Sequence, residues 1–341
     1  MIAMKIGWAL ALMMAALPVR AEPPDKQDQL AWHQFQLAVA EAEGDAHTDL
    51  LVLRSMSTLA EASADPAASD ELRALGARAQ VVQAELQARI DAARDSDPYL
   101  LAADLGCWPD RTSATCVERR ARLETHAADN AYFGVLLMSL AWAAGDAEGY
   151  LRAARLAASA DRYDSLPSVP FGALRARYRS VPVPRMTGMD EQAMRHAPDN
   201  LAMAITAAIA TPPLQHFANS CKAAEDELGT QCLAIAKRMQ ANSRGLLELW
   251  LAQIVIEAQG TPVDVERALS MRREADWLRT RAAELMWAAE KVPVAGTEEY
   301  FDAFAAAGEF EAMRVLLRTH RIPTTPPAGW VMPQRQPAPA Q

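Results

Sequence analysis

Residues 70–93 read DELRALGARAQVVQAELQARIDAA, and this stretch decides the fold class. Leu72, Leu75, Ala79, Val82, Leu86, Ile90 and Ala93 recur at steps of three and four, which lays them along one stripe of a single long α-helix. Asp70 and Glu71 stand in its first turn, where negative charge meets the positive end of the helix dipole. Glu85 and Arg89 lie one turn apart on the polar face and are expected to pair.

The same vocabulary continues outward from this helix. Only 15 of the 341 residues are glycine, alanine and leucine are abundant, and strand-forming types are thinly spread. Asp97-Pro98, Ala197-Pro198-Asp199-Asn200 and Thr261-Pro262 read as helix starts, since proline fits the first turn and Asp, Asn or Thr caps it. Gly44, Gly145, Gly260 and Gly308 each follow one helical pattern and precede another, so each is expected to end a helix in the left-handed conformation. Two segments, 131–144 and 201–210, are apolar nearly all round and read as central helices buried on several sides. The expected fold is therefore all-α, built of stacked antiparallel helix pairs, with no significant β-sheet.

A longer repeat overlies this unit. A shift of about 115 residues places Cys107 and Cys116 beside Cys221 and Cys232, Gly145 on Gly260, Ala153 on Ala268 and Ala160-Asp161 on Ala275-Asp276. These matches read as a tandem duplication of roughly 97–164 and 212–279. From Asp129-Asn130-Ala131 through Gly145-Asp146 to about Asp161, the chain resembles a degenerate tetratricopeptide-type hairpin, and more weakly so around 242–276, 31–60 and 300–320. The family packs small residues in the middle of its first helix and early in its second, where this chain has Met138 and Tyr150. The resemblance implies helix pairs that stack to bury their apolar faces, and protein or peptide binding on a concave face.

The chain begins with the marks of export. Lys5 precedes twelve apolar or small residues from Ile6 to Leu17, and Val19 and Ala21 fit a signal peptidase, with cleavage expected between Ala21 and Glu22. Twelve residues span about 18 Å as a helix, short of the roughly 30 Å hydrocarbon core, and no cysteine follows for lipidation. The mature protein is thus expected in the periplasm or outside the cell, without membrane insertion. Removing residues 1–21 leaves 32 basic and 43 acidic side chains, a formal balance of −11, which makes nucleic acid and anionic membrane poor partners.

Four cysteines in an exported chain are expected to form two disulfides. Cys107 with Cys116 and Cys221 with Cys232 is the favoured pairing of three, because each pair flanks a short loop and the pairs coincide under the duplication. Zinc held by Cys221, Cys232 and His216 is the competing reading. His33, His47, His126, His196, His216 and His320 are scattered and read as surface or capping residues. Gly-x-Ser-x-Gly, Ser-x-x-Lys and glycine-rich phosphate loops do not occur, so no catalytic, metal or cofactor set is expected. Arg175, Arg177 and Arg179 form the sharpest charge cluster and are the candidate contacts to an acidic partner, against the plainer reading of a solvated helix face. Trp32, Trp142, Trp250, Trp277 and Trp287 fall within helical patterns and read as core.

The expected organisation is a signal peptide at 1–21, a helical region at 22–95, a first repeat half at 96–180, a proline-rich linker at 181–190, a second half at 191–320 and an extended or disordered tail at 321–341. Its expected role is a non-enzymatic scaffold that binds another protein or peptide. The alternatives are a cell-envelope enzyme acting on peptidoglycan or another polysaccharide with a carboxylate pair in a groove, and a structural module without a ligand.

Overall fold

The computed structural model describes residues 26–103, 113–165, 169–187, 191–209, 214–288 and 295–331. The proposed cleavage site Ala21-Glu22, Cys107, and residues 332–341 of the tail lie outside them. Among the described residues the protein is all-helical, its helices packed in pairs, with no strand and an isolated bridge between Asn130 and Arg162. In chain order the helices are α1 (Lys26–Glu41), α2 (Ala46–Ser55), α3 (Ser57–Ala64), α4 (Asp70–Arg94), α5 (Pro98–Ala103), α6 (Ala114–Ala127), α7 (Ala131–Ala144) and α8 (Ala147–Ser159). They continue as α9 (Val169–Arg179), α10 (Glu191–Ile209), α11 (Leu214–Lys222), α12 (Asp226–Asn242), α13 (Leu246–Gln259), α14 (Pro262–Ala288), α15 (Thr297–Ala307) and α16 (Glu309–Thr319). No helix among the described residues is long and apolar enough to cross a membrane.

Two compact units interleave along the chain, residues 1–126 with 165–212, and residues 127–164 with 213–341. The Val181–Pro184 stretch runs inside the first of them. That first unit is organised on α4, the helix whose period opens the sequence. Ser69 caps it by accepting the Leu72 N–H at 3.2 Å, and Gly76, Ala79, Val82, Leu86 and Ile90 are buried where α1, α2 and α3 pack on it. Asp97 caps α5 by accepting from the backbone N–H groups of Tyr99 and Leu100. Helices α9 and α10 form a pair that also rests on α2. Pro198 does not start a helix as its flanking residues suggest, because α10 is continuous from Glu191 and carries the proline in its interior. Within the 201–210 segment Ala202 and Thr206 are buried, while Leu201, Met203, Ala204 and Ile205 are only half-buried.

In the second unit α7 and α8 form the tightest pair. The crossing is close because Gly134 faces Ala157: a Cβ at 134 would stand 2.5 Å from the Ala157 Cβ and 2.9 Å from its Cα. The small-residue contact thus lies away from Met138 and Tyr150, one turn earlier in the first helix and two turns later in the second. Gly145 ends α7 at φ 70°, with its N–H on the Trp142 carbonyl and the Asp146 N–H on that of Ala141, each at 3.0 Å. Asp146 then caps α8 by accepting from Gly149 at 2.8 Å. The buried Asn130 closes the hairpin on itself: its Oδ1 accepts from Tyr132 and Asp164, and its Nδ2 donates to the Asp164 carbonyl at 2.9 Å.

Of the four turn glycines, only Gly145 and Gly308 take positive φ. Gly260 is extended at φ −83°, and Thr261 and Asp264 then cap the next helix by mutual hydrogen bonds. Of the positions paired by the 115-residue shift, Ala153 and Ala268, and Ala160 and Ala275, share burial, but Asp161 is exposed where Asp276 is buried, and local structure differs, for α8 stops at Ser159 while α14 runs past Ala275 to Ala288.

Helices α12 and α13 form the next pair, and Cys221 at the end of α11 is joined to Cys232 in α12 with a Cα–Cα distance of 5.4 Å. Leu246, Leu249, Leu278, Met313 and Leu316 then build a core among α13, α14 and α16, against which Ile322 and Trp330 pack. The tail is therefore irregular, with a turn at Pro327–Trp330, and seated as far as Trp330, where the sequence reading expected an extended or disordered chain.

Candidate interaction surface

The arginine run divides by helical phase. Residues 175 and 179 are one turn apart and share a face of α9, whereas 177 points to the opposite one. Arg175 Nε and both Arg179 Nε and Nη2 donate to the buried Asp199 carboxylate, all at 2.7 Å. Arg177, its side chain 1% exposed, donates to Asp49 at 2.7 Å and to the Val39 and Ala40 carbonyls at 2.8 and 2.7 Å. Those carbonyls belong to the open C-terminal end of α1, so the guanidinium caps that helix and complements its dipole. Asp49 also receives both prongs of Arg89, at 2.7 and 3.0 Å, so Arg89 is spent on this carboxylate rather than on Glu85. Arg175 and Arg177 are therefore neither partner contacts nor a solvated face. Their charge is consumed in tying α9 to α2 and α10.

The same holds for the buried carboxylates. Asp28 accepts from the Thr187 N–H, Glu248 from the Tyr163 hydroxyl, and Asp276 from Arg272. Burial and the Glu248 charge push the Tyr163 hydroxyl well above its usual range, keeping it a donor. Glu309 is raised by burial, against the pull of the Leu246 N–H that it accepts at 2.8 Å, and it anchors the start of α13. Cys221 and Cys232 are joined as expected, which removes the thiolates that the zinc reading needed. Cys116 is also disulfide-bonded, and its expected partner Cys107 lies outside the described residues. His47 forms an ion pair with Asp97 at 3.0 Å, His196 lies beside Asp199, and His320 reaches the Ala295 carbonyl.

One tryptophan departs from the core expectation. Trp277 is buried, Trp32 and Trp250 are half-buried, and the Trp287 side chain lies outside the described residues, but Trp142 is 55% exposed. It sits in the last turn of α7, where the chain folds back at Gly145. Its ring is supported by Tyr150 at 6.3 Å, inclined by 62°, and by His216 of α11 at 6.1 Å. Tyr150 is held in turn by a hydrogen bond to Ser220, whose hydroxyl donates to the His216 carbonyl at 2.7 Å. Burial raises the Tyr150 hydroxyl, only partly offset by Ser220, so it stays protonated as a strut under the indole. Residues 143–148 beside it are all exposed. The result is a rigid aromatic platform open to solvent. Periodicity cannot reveal it, because α7 is apolar all round and offers no polar face against which to phase Trp142.

No protein-family model, curated protein or solved structure matches the chain.

Proposed function

We propose that the protein is an exported, non-enzymatic helical scaffold that binds another protein or peptide through the face around Trp142. The observation that carries this reading is that indole: a large aromatic surface held from beneath and left 55% exposed has the character of a binding anchor. The α7–α8 hairpin, with its Asn130 closure, Gly145 turn and close Gly134–Ala157 crossing, supports a degenerate tetratricopeptide-like unit as the platform's frame. The Cys221–Cys232 disulfide supports an oxidising compartment such as the periplasm. The test is affinity capture from cell-envelope extract with the full chain and with Trp142→Ala, whose helicity should be unchanged. A partner recovered by the first and lost by the second is expected. Recovery of no partner by either chain, or of the same partner equally by both, overturns the assignment.

A further inference from the structure

The chain leaves α16 through Arg321, in the left-handed conformation at φ 57°, and then runs along α14 as an irregular strap that closes in a turn, where the Trp330 N–H donates to the Pro327 carbonyl at 3.0 Å. Trp277 Nε1 donates to the Pro323 carbonyl at 2.8 Å. One turn earlier on α14, Arg273 donates to the carbonyls of Ala328 and Trp330, each at 3.1 Å, and to that of Pro327. The Trp277 and Trp330 rings meet edge to face at 5.4 Å, and Arg281 covers Trp277 at 4.5 Å. Each of these polar contacts is to a main-chain carbonyl of a segment with three prolines, which lack N–H groups of their own. A guanidinium fork and an indole N–H at i and i+4 thus read a proline-rich segment and its closing turn through main-chain carbonyls.

The hold is shallow. No residue from Pro323 to Val331 is buried, and Val331 is 80% exposed. Ordering each backbone residue costs about 1–2 kcal/mol, so a nine-residue strap held at its rim is poised to open locally. Beside Trp330 and Val331 a cleft of about 360 Å³ lies along α14, lined also by Leu269, Arg272, Arg273 and Asp276, with Leu269 itself 49% exposed.

We propose that this face of α14 is a receptor site for a proline-rich segment of a partner protein that closes in the same kind of turn, and that residues 323–331 occupy it in cis. A partner segment carrying an aromatic where Trp330 sits can take over the contacts that the strap makes to Trp277 and Arg273. This site is separate from the Trp142 face and does not depend on it.

Fluorescence anisotropy with a labelled peptide of residues 322–331, titrated with full-length chains, tests the assignment. Trp330→Ala weakens the strap while leaving α14 intact, and should bind the peptide at least about ten-fold more tightly than the unmodified chain, since the tethered strap competes at an effective concentration in the millimolar range. Adding Arg273→Ala, or the milder Trp277→Phe that keeps a ring and removes the donor, should reverse that gain, whereas Trp142→Ala should leave it untouched. Equal binding by the unmodified and Trp330→Ala chains, binding indifferent to Arg273 and Trp277, or no binding by any chain overturns the proposal. A concentration-dependent dimer that disappears in Trp330→Ala would assign the face to strap exchange between copies and overturn the partner-segment reading.

Discussion

Replacing Arg177 by methionine keeps an unbranched apolar stem of similar reach and removes only the guanidinium. In the folded protein that group sits between the Val39 and Ala40 carbonyls of α1 and the buried Asp49 of α2. Asp49 retains Arg89, so the damage falls first on two carbonyls left without their donor. Each buried unsatisfied acceptor costs about 1–3 kcal/mol, and breaking a buried ion pair from one side costs about 3–5 kcal/mol, so Arg177→Met should lose about 3–4 kcal/mol. Urea unfolding followed by circular dichroism reads this as a lower midpoint for one transition. A partner variant checks the geometry. A Cβ on Gly44 would collide with the Arg177 guanidinium and stand 2.6 Å from the Thr48 hydroxyl. The arginine cannot yield cheaply, because its hydrogen bonds pin it. Gly44→Ala should therefore destabilise the native protein by about 2 kcal/mol and the Arg177→Met protein by clearly less, a coupling of about 1 kcal/mol. If Arg177→Met costs under about 1 kcal/mol, or Gly44→Ala costs the same in both backgrounds, the arginine is not the strut described here.

Four other outcomes are expected. Gly134→Ala gains about 1 kcal/mol of helix propensity but sets a Cβ 2.9 Å from the Ala157 Cα, where backbone cannot give way, so chemical denaturation should show a net loss of about 1 kcal/mol; a gain would mean the helices part freely. Arg321→Gly should raise stability by about 0.5–1 kcal/mol, because Arg321 holds a left-handed φ of 57° between the 318 and 317 carbonyl bonds that close α16, and an unchanged midpoint would refute that strain. Replacing Cys221 and Cys232 together by serine should cost about 3 kcal/mol on the chain-entropy scale, read by thermal or urea unfolding without reductant. His47 is raised above its ordinary value of 6.5 chiefly by its hydrogen bond to Asp97, so its stabilisation is complete below 6.5 and fades as pH climbs through the raised value. Asp97, pushed up by burial but held below its ordinary 3.8 by His47 and two backbone N–H groups, contributes above 3.8 and is lost as pH falls below it. Stability profiles of the native protein and His47→Gln should converge at alkaline pH, and parallel curves would exclude the pair.

Much of the helical scaffold is legible in the chain because helix signals are local. The stripe from Leu72 to Ile90 is the buried face of α4, and Asp97-Pro98 and Thr261-Pro262 start helices where their chemistry says. The same locality explains the misreadings. Ala197-Pro198-Asp199 has the letters of a helix start, yet α10 already runs from Glu191 and carries the proline in its interior, and Asp199 serves two arginines instead of a cap. Gly44 and Gly145 look alike as turn glycines. One is needed for a left-handed backbone and the other for the room that Arg177 takes.

The amino-acid pattern by itself determined that this protein is helical and where many of its helices begin and end, and it favoured Cys221 and Cys232, 11 residues apart, as partners, since all of these follow from periods and contacts within a few turns. Tertiary structure alone decided the fate of the charged and aromatic side chains. Arg175 finds its carboxylate 24 residues away and Arg177 finds its own 128 residues away, on opposite sides of one helix. Whether such a side chain is a surface charge or a buried strut depends on which elements close over it. Trp142 is the converse case: nothing in an all-apolar helix marks the one indole that its neighbours leave uncovered.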